Sequence, residues 1–167
     1  MLQALQVLTV CVVAIAMSLG LAHALEFPGK MRLAKEQYLT VQPIYYPGFT
    51  IGGAAEPLGL LLTLVLLILT PRGSAAFWLT ASAFVVLLVM HAAYWLVTHP
   101  VNNFWLKDVE LKGAGSGFFS FDPFNWNRDS GRSDWTQLRD RWEYSHLLRA
   151  ALGLIALVLL VTAVAVS

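Results

Sequence analysis

Residues Ile51–Thr98 read IGGAAEPLGLLLTLVLLILTPRGSAAFWLTASAFVVLLVMHAAYWLVT. A helix that crosses about 30 Å of hydrocarbon needs about 20 mainly apolar residues. Both arms of this stretch, 51–70 and 74–98, meet that requirement. The first holds one charge, Glu56, just before Pro57, and the second holds no charge, only His91. Between them Pro71-Arg72-Gly73 stops one helix and lets the chain reverse before the next. The stretch predicts an antiparallel pair of transmembrane helices.

Two further windows extend the pair to four. Residues 2–25 contain no acidic or basic side chain other than His23, and residues 143–166 contain only Glu143, His146 and Arg149. With 167 residues, 57% hydrophobic and 13% charged, the chain is too apolar for an ordinary soluble domain. The expected fold is all-α: an integral membrane four-helix bundle forming one domain over 1–167. Two large loops, 26–50 and 99–142, lie on one membrane face. Ala22-His23-Ala24 also fits the cleavage pattern of a signal peptide. No Lys or Arg precedes the apolar run, however, and the run is long enough to span, so it is expected to stay. A net charge of +1 without any Lys/Arg run excludes a nucleic-acid surface. The single cysteine, Cys11, supports neither a disulfide framework nor a thiolate metal site and reads as a small core residue.

Lys30, Arg32, Lys35, Lys107, Lys112, Arg128, Arg132, Arg139 and Arg141 all fall in the two loops. The positive-inside bias then places the loops in the cytoplasm, with both termini outside a cell membrane. In the first loop Pro28-Gly29 is expected to break the first helix, and Pro43 and Pro47 to prevent a long one before the second span. Tyr38, Tyr45 and Tyr46 suit a membrane–water interface. The second loop carries KGAGSGFFSFDPFNWNRDSGRSDW (112–135), whose glycines and aromatics fit either an interfacial anchor or a lid over a lipophilic pocket. Asp134 or Ser133 is a candidate N-cap for a fourth helix that begins in the loop and runs into the bilayer.

Ionisable residues inside spans are costly and usually turn toward the protein interior, where they pair. Every span here contributes at least one near the loop side. His23 and Glu26 are three apart and share a face with Ala16 and Gly20. Glu56 begins the second span. His91, Tyr94, Trp95 and Thr98 form a polar-aromatic stripe rising toward His99, with His91 about 12 Å deeper than His99 at 1.5 Å per residue. Arg139, Glu143 and His146 share a face that continues into Ala150 and Gly153, and Arg149 is placed beside it to pair with Glu56 or Glu26.

Two spacings have metal-site logic. Glu143-x-x-His146 matches the element that four-helix carboxylate proteins use for iron or manganese, and His23-x-x-Glu26 is its reverse. With Glu56 they make a candidate set, His23, Glu26, Glu56, Glu143 and His146. Such a set suits a non-haem metal ion, with no cofactor as the other reading. A bis-histidine haem between two of His23, His91 and His146 is a further option. Against these stands a packing role, in which the charges form register-fixing ion pairs and the histidines are hydrogen-bonded core residues.

The stretches AHALEFPGKMRLAKEQYLTVQPIYYPGF, HAAYWLVTHPVNNFW and DWTQLRDRWEYSHLLRAALGL together resemble the anthrone oxygenase-like family of small four-span membrane proteins. The most distinctive element is Trp142-x-x-x-His146-x-x-Arg149, which follows a histidine or asparagine near the end of the third span. The resemblance implies an oxygen-dependent conversion of an anthrone to an anthraquinone without a recognised cofactor. The likeness is greatest to a bacterial branch that carries no assigned activity, so the substrate is not carried across.

Two functions are therefore expected to compete. The first is an oxidoreductase for a lipophilic aromatic or quinol-like small molecule that enters from the lipid bilayer. In it His146 or His91 is the base, Glu143 joins the cluster, Arg149 holds a developing phenolate, and Tyr94, Trp95, Asn102, Trp105 and Trp142 bind the ring. The second is a non-catalytic structural or accessory subunit whose buried charges lock the bundle. Ion passage along the stripe from His91 to His99 is a third, disfavoured by the lack of inverted repeats.

Overall fold

The computed structural model describes residues 2–105 and 134–167. Within them the chain forms α1 (Leu2–Lys30), α2 (Lys35–Val41), a 3-10 turn (Gln42–Tyr45), α3 (Gly48–Gly52) and α4 (Ala55–Leu69). It continues as α5 (Ala75–Ala93), a π-helical turn (Tyr94–Thr98), α6 (His99–Trp105) and α7 (Trp135–Ala165). Four stretches are long and apolar enough to cross a membrane: Leu2–Lys30, Gly48–Leu69, Ala75–Asn102 and Trp135–Ala165. No strand occurs among the described residues, so the all-α four-helix bundle expected from hydropathy is what forms. Most of the aromatic glycine-rich segment 112–135 lies outside the described residues, as does Ser133.

The spans pack in ring order, each against its neighbours in sequence, with α7 closing the ring on α1. Lipid offers no hydrophobic gain when two helices meet, so close approach depends on small side chains. A Cβ on Gly20 would stand 3.3 Å from the Ala150 backbone, and one on Gly153 would stand 3.2 Å from Met17 Cα. The small-residue faces read from sequence are thus the α1–α7 contact. Deeper in, Val13, Leu66, Ala83, Leu87, Met90, Ala156 and Leu160 draw all four spans into one core. Thr63 and Thr80 are buried in it but donate to Gly59 and Ala76 carbonyls, which removes the cost of their hydroxyls. Val7, Ile15, Leu61, Ile68, Val85 and Val158 face outward, as lipid contact requires. Cys11 is exposed on that outer surface and is not the core residue expected.

The hairpin turn is as expected. Gly73 takes φ +85°, a conformation open to glycine without strain, and Ser74 caps α5 by accepting from Phe77 N. Asp134 caps α7 in the same way, accepting from Thr136 N. Hydrogen bonds from Thr136 hold its exposed carboxyl below the usual range. The first helix does not break at Pro28-Gly29 but continues to Lys30. Proline there costs only the bond to the carbonyl four residues back, and it falls in the last turn, where the helix is about to end. The consequence is large, because one more turn brings Lys30 to the i+4 position of Glu26 and buries it. Pro43 and Pro47 do confine the following segment to short helices.

The third span changes pitch at Tyr94–Thr98, where His99 N–H reaches back to Tyr94 O across five residues. The cause is Pro100, which has no N–H to offer the Leu96 carbonyl. Arg141 of α7 fills the gap, its Nη2 donating to Leu96 O at 2.9 Å and its Nε to Val97 O at 3.1 Å.

Candidate functional site at the loop-side ends of the spans

A cavity of about 680 Å³ with mostly apolar walls opens where the loop-side ends of the spans meet. α1 contributes His23 and α4 contributes Glu56. The third span contributes His91, Tyr94, Trp95, Thr98, Asn102 and Trp105, and α7 contributes Trp142, His146 and Arg149. Tyr45, Tyr46 and Phe49 of the first loop complete the wall. All five residues expected to bind an aromatic ring, Tyr94, Trp95, Asn102, Trp105 and Trp142, therefore line one space. Of the expected catalytic residues, His91, His146 and Arg149 line it as well.

Two ionic groupings divide the rest. In the first, Glu56 bridges two helices: Oε1 lies 3.0 Å from His91 Nδ1 and Oε2 accepts from Arg149 Nη2 at 2.6 Å. Trp95 Nε1, which can only donate, approaches His91 Nε2 at 3.0 Å. That assigns the lone pair to Nε2 and the proton to Nδ1, directed at the carboxylate. Both nitrogens of His91 are thus engaged. In this arrangement His91, expected as one of two candidate bases, holds Glu56.

The second grouping lies nearer the loops. Lys30 Nζ stands 3.1 Å from Glu143 Oε1 and 3.5 Å from Glu26 Oε2, and Tyr38 donates to Glu143 Oε1 at 2.7 Å. Tyr38 is fully buried and not interfacial as expected, packed with Val101, Trp105, Leu138 and Trp142. Burial, then the Glu143 carboxylate, push its phenol well above the ordinary value, so it remains a donor. Tyr45 is also drawn inward. It donates to Glu26 Oε2 at 2.5 Å, and burial and that bond raise its phenol. Lys30 Nζ lies 4.7 Å from the Trp142 ring centroid and 5.0 Å from that of Tyr45, within cation–π reach. Glu143, expected in the catalytic set, is thereby a partner of Lys30 and Tyr38 and does not line the cavity.

Between the groupings sits a histidine pair. His23 and His146 have ring centroids 4.2 Å apart, enclosed by Trp142, Tyr45 and Phe49. His146 Nδ1 lies 2.8 Å from Trp142 O. A carbonyl only accepts, so Nδ1 carries the proton and Nε2 keeps the lone pair.

The metal set does not assemble. Among the described residues no three His, Cys, Asp or Glu side chains converge as ligands. Glu56 is held by Arg149 and His91, and Glu143 and Glu26 by Lys30 with Tyr38 and Tyr45. A cation would have to displace positive side chains from each carboxylate. The bis-histidine haem fails on geometry too: rings in contact at 4.2 Å leave no room for a porphyrin between them, and His91 has no free nitrogen.

No family model matches the chain. Comparison with curated proteins and with solved structures likewise returns no match. The chemistry is therefore read from the site itself.

Lys30, Tyr38 and Arg141 carry the arrangement, whereas the sequence pointed Tyr38 to the interface and Lys30 and Arg141 only to the orientation of the loops. For Lys30 a signal existed, the Glu26-x-x-x-Lys30 spacing, visible once the helix is carried through Pro28. For Tyr38 and Arg141 none did, since their partners Glu143 and the Leu96 carbonyl are distant in sequence.

Proposed function

We propose that this protein is a membrane oxidoreductase that admits a lipophilic aromatic substrate, of the anthrone or quinol type, and oxidises it with dioxygen. The observation that carries the reading is one apolar cavity holding an imidazole with a free lone pair, a guanidinium and a set of aromatic rings. His146 Nε2 removes the acidic proton, and Arg149, held by Glu56, stabilises the oxyanion that forms. Tyr94, Trp95, Trp105 and Trp142 offer ring faces to the substrate, with Arg149 5.0 Å from the Tyr94 centroid.

The substrate anion itself supplies the electrons. For an anthrone, the ring methylene becomes a carbonyl, one oxygen atom enters the product, and the other leaves as water with the two hydrogens. For a quinol, two electrons and two protons pass to dioxygen, giving quinone and hydrogen peroxide. Neither balance needs a further reductant. The resemblance of the Trp142-x-x-x-His146-x-x-Arg149 element to the anthrone oxygenase-like family supports the same reaction class. The Lys/Arg bias of the loops supports a cell-membrane location with the cavity end cytoplasmic.

The test is oxygen uptake by the detergent-purified protein with anthrone and with hydroquinones, before and after His146→Ala. Turnover is expected to drop by about 10²–10⁴-fold, the usual worth of a positioned base. Equal turnover in the variant removes the base assignment, and no uptake by the unaltered protein with either class removes the oxidase reading.

A second reading, a non-catalytic accessory subunit, is favoured by the way Glu56–Arg149 and Lys30–Glu143 tie separate helices together. It requires that His146→Ala and Glu143→Gln lower thermal stability while elemental analysis and the optical spectrum of the purified protein show no bound group.

A further inference from the structure

The proton taken by His146 must leave an apolar cavity, and the histidine pair indicates how. His146 keeps its Nδ1 proton on the Trp142 carbonyl, so whatever Nε2 accepts it must also release from Nε2. The ring in contact with it is His23, 4.2 Å away between centroids. His23 Nδ1 is buried without a hydrogen-bond partner, and its nearest acidic oxygen is Glu26 Oε2, at 4.0 Å. An orphaned buried nitrogen is unusual unless it has a task or a missing water. Glu26 is different in one respect from every other carboxylate of the cluster: its side chain is 45% exposed, against 7% for Glu56 and 0% for Glu143. It is the acidic end of the cluster that reaches the surface.

We propose that His23 and Glu26 form a proton path from His146 in the cavity to the membrane surface. The inference rests on the reading of His146 as the base and adds two positioning and transfer residues to it. The two rings touch, 4.2 Å between centroids, without a hydrogen bond between them, so His146 gives its Nε2 proton to His23 Nε2 through a bridging water or a small ring rotation. His23 releases the proton on Nδ1 to Glu26 Oε2, and Glu26 passes it to water. No bond other than N–H and O–H changes; His146 returns to its starting state, and His23, left with its proton on Nε2 in place of Nδ1, is reset by a flip of the ring. The 4.0 Å gap between His23 and Glu26 exceeds a hydrogen bond, so this step needs a bridging water or a small swing of the exposed Glu26 side chain. The groups facing the path are Lys30 on the same helix, Tyr45 from the 3-10 turn, and Trp142 and Arg149 from α7. Lys30 and Tyr45 both bind Glu26 Oε2 and hold it as an acceptor.

The experiment measures how fast each histidine Nε2 gains and loses a proton, read from the exchange broadening of its nitrogen-15 resonance in histidine-labelled full-length protein in detergent micelles. Four histidines make assignment by single substitution practical. His146 Nε2 is expected to exchange faster than His91 Nε2, which is engaged by the Trp95 indole N–H. Glu26→Gln and His23→Phe are each expected to slow His146 exchange by about tenfold, and added imidazole to restore it in the Glu26→Gln protein. Glu26 is exposed enough for its variant to fold if the buried His23→Phe does not. Unchanged His146 exchange in Glu26→Gln overturns the path. Because the measurement needs no substrate, its failure leaves the oxidase reading standing, and failed oxygen uptake leaves the path standing.

Discussion

Arg149 Nη2 donates to Glu56 Oε2 across 2.6 Å, which ties the fourth span to the second within the wall of the cavity. Both side chains are largely shielded, 14% and 7% exposed, so neither charge can be left alone cheaply. Glu56→Gln strands the guanidinium and is expected to destabilise by about 3–5 kcal/mol, whereas Glu56→Gln with Arg149→Met should recover much of that. Thermal unfolding in detergent compares the three proteins. A double variant no more stable than the single one argues against an ion pair that governs packing.

Arg141 and Pro100 are coupled without touching the cavity. Arg141 donates to the Leu96 carbonyl that Pro100 leaves unpaired. Arg141→Gln is expected to cost about 0.5–1.5 kcal/mol, the net worth of a typical hydrogen bond, because the contact is exposed. In a Pro100→Ala background, where an N–H is restored, the same substitution should cost clearly less. Purely additive losses would show that the arginine acts elsewhere.

Tyr38 makes stability sensitive to alkali. It lies outside the spans, and its phenol is held above its ordinary value by burial and by Glu143. A group whose folded value exceeds its unfolded value contributes fully below the unfolded value, and the contribution is lost as pH rises above it. The midpoint temperature should therefore decline above about pH 10, the ordinary phenol value. Tyr38→Phe should start lower, because Glu143 loses a donor, and decline less steeply. Parallel curves for the two proteins would assign the alkaline loss to other groups.

At the α1–α7 crossing the backbones are close enough that size alone decides. A Cβ at position 153 already stands 3.2 Å from Met17 Cα. Gly153→Leu should force the helices apart and lower the unfolding midpoint severely, while Gly29→Ala, where nothing lies within 4 Å of the added atom, should be nearly neutral. Similar losses at both sites would mean that glycine matters here through helix propensity and not through packing.

Much of the site is legible in the order of the residues alone. Four apolar windows, the Pro71-Arg72-Gly73 turn and the Asp134 cap are local properties of the chain, and each appears where expected. The aromatic residues that line the cavity and the Glu56–Arg149 pair follow from topology, because ionisable ends of adjacent spans have few places to go. Three departures from expectation are linked. Pro28, in the last turn, does not stop α1; the extra turn buries Lys30 against Glu143, and Glu143, taken by Lys30 and by the inward-turned Tyr38, does not join a metal set.

By itself the sequence determined that this protein is a four-helix membrane bundle and that its ionisable residues gather toward the loop side. Length and hydropathy suffice for that, since the cost of placing polar groups in hydrocarbon depends on composition along the chain. Only the tertiary structure decided which partner each group takes: His91 for Glu56, Lys30 for Glu143, His23 for His146. Those pairings depend on the rotation of each helix about its axis and on the π-helical turn in the third span. The rotations are set by contacts between residues far apart in sequence, such as Gly153 on Met17, and the turn that Pro100 begins is completed by another, Arg141 on the Leu96 carbonyl.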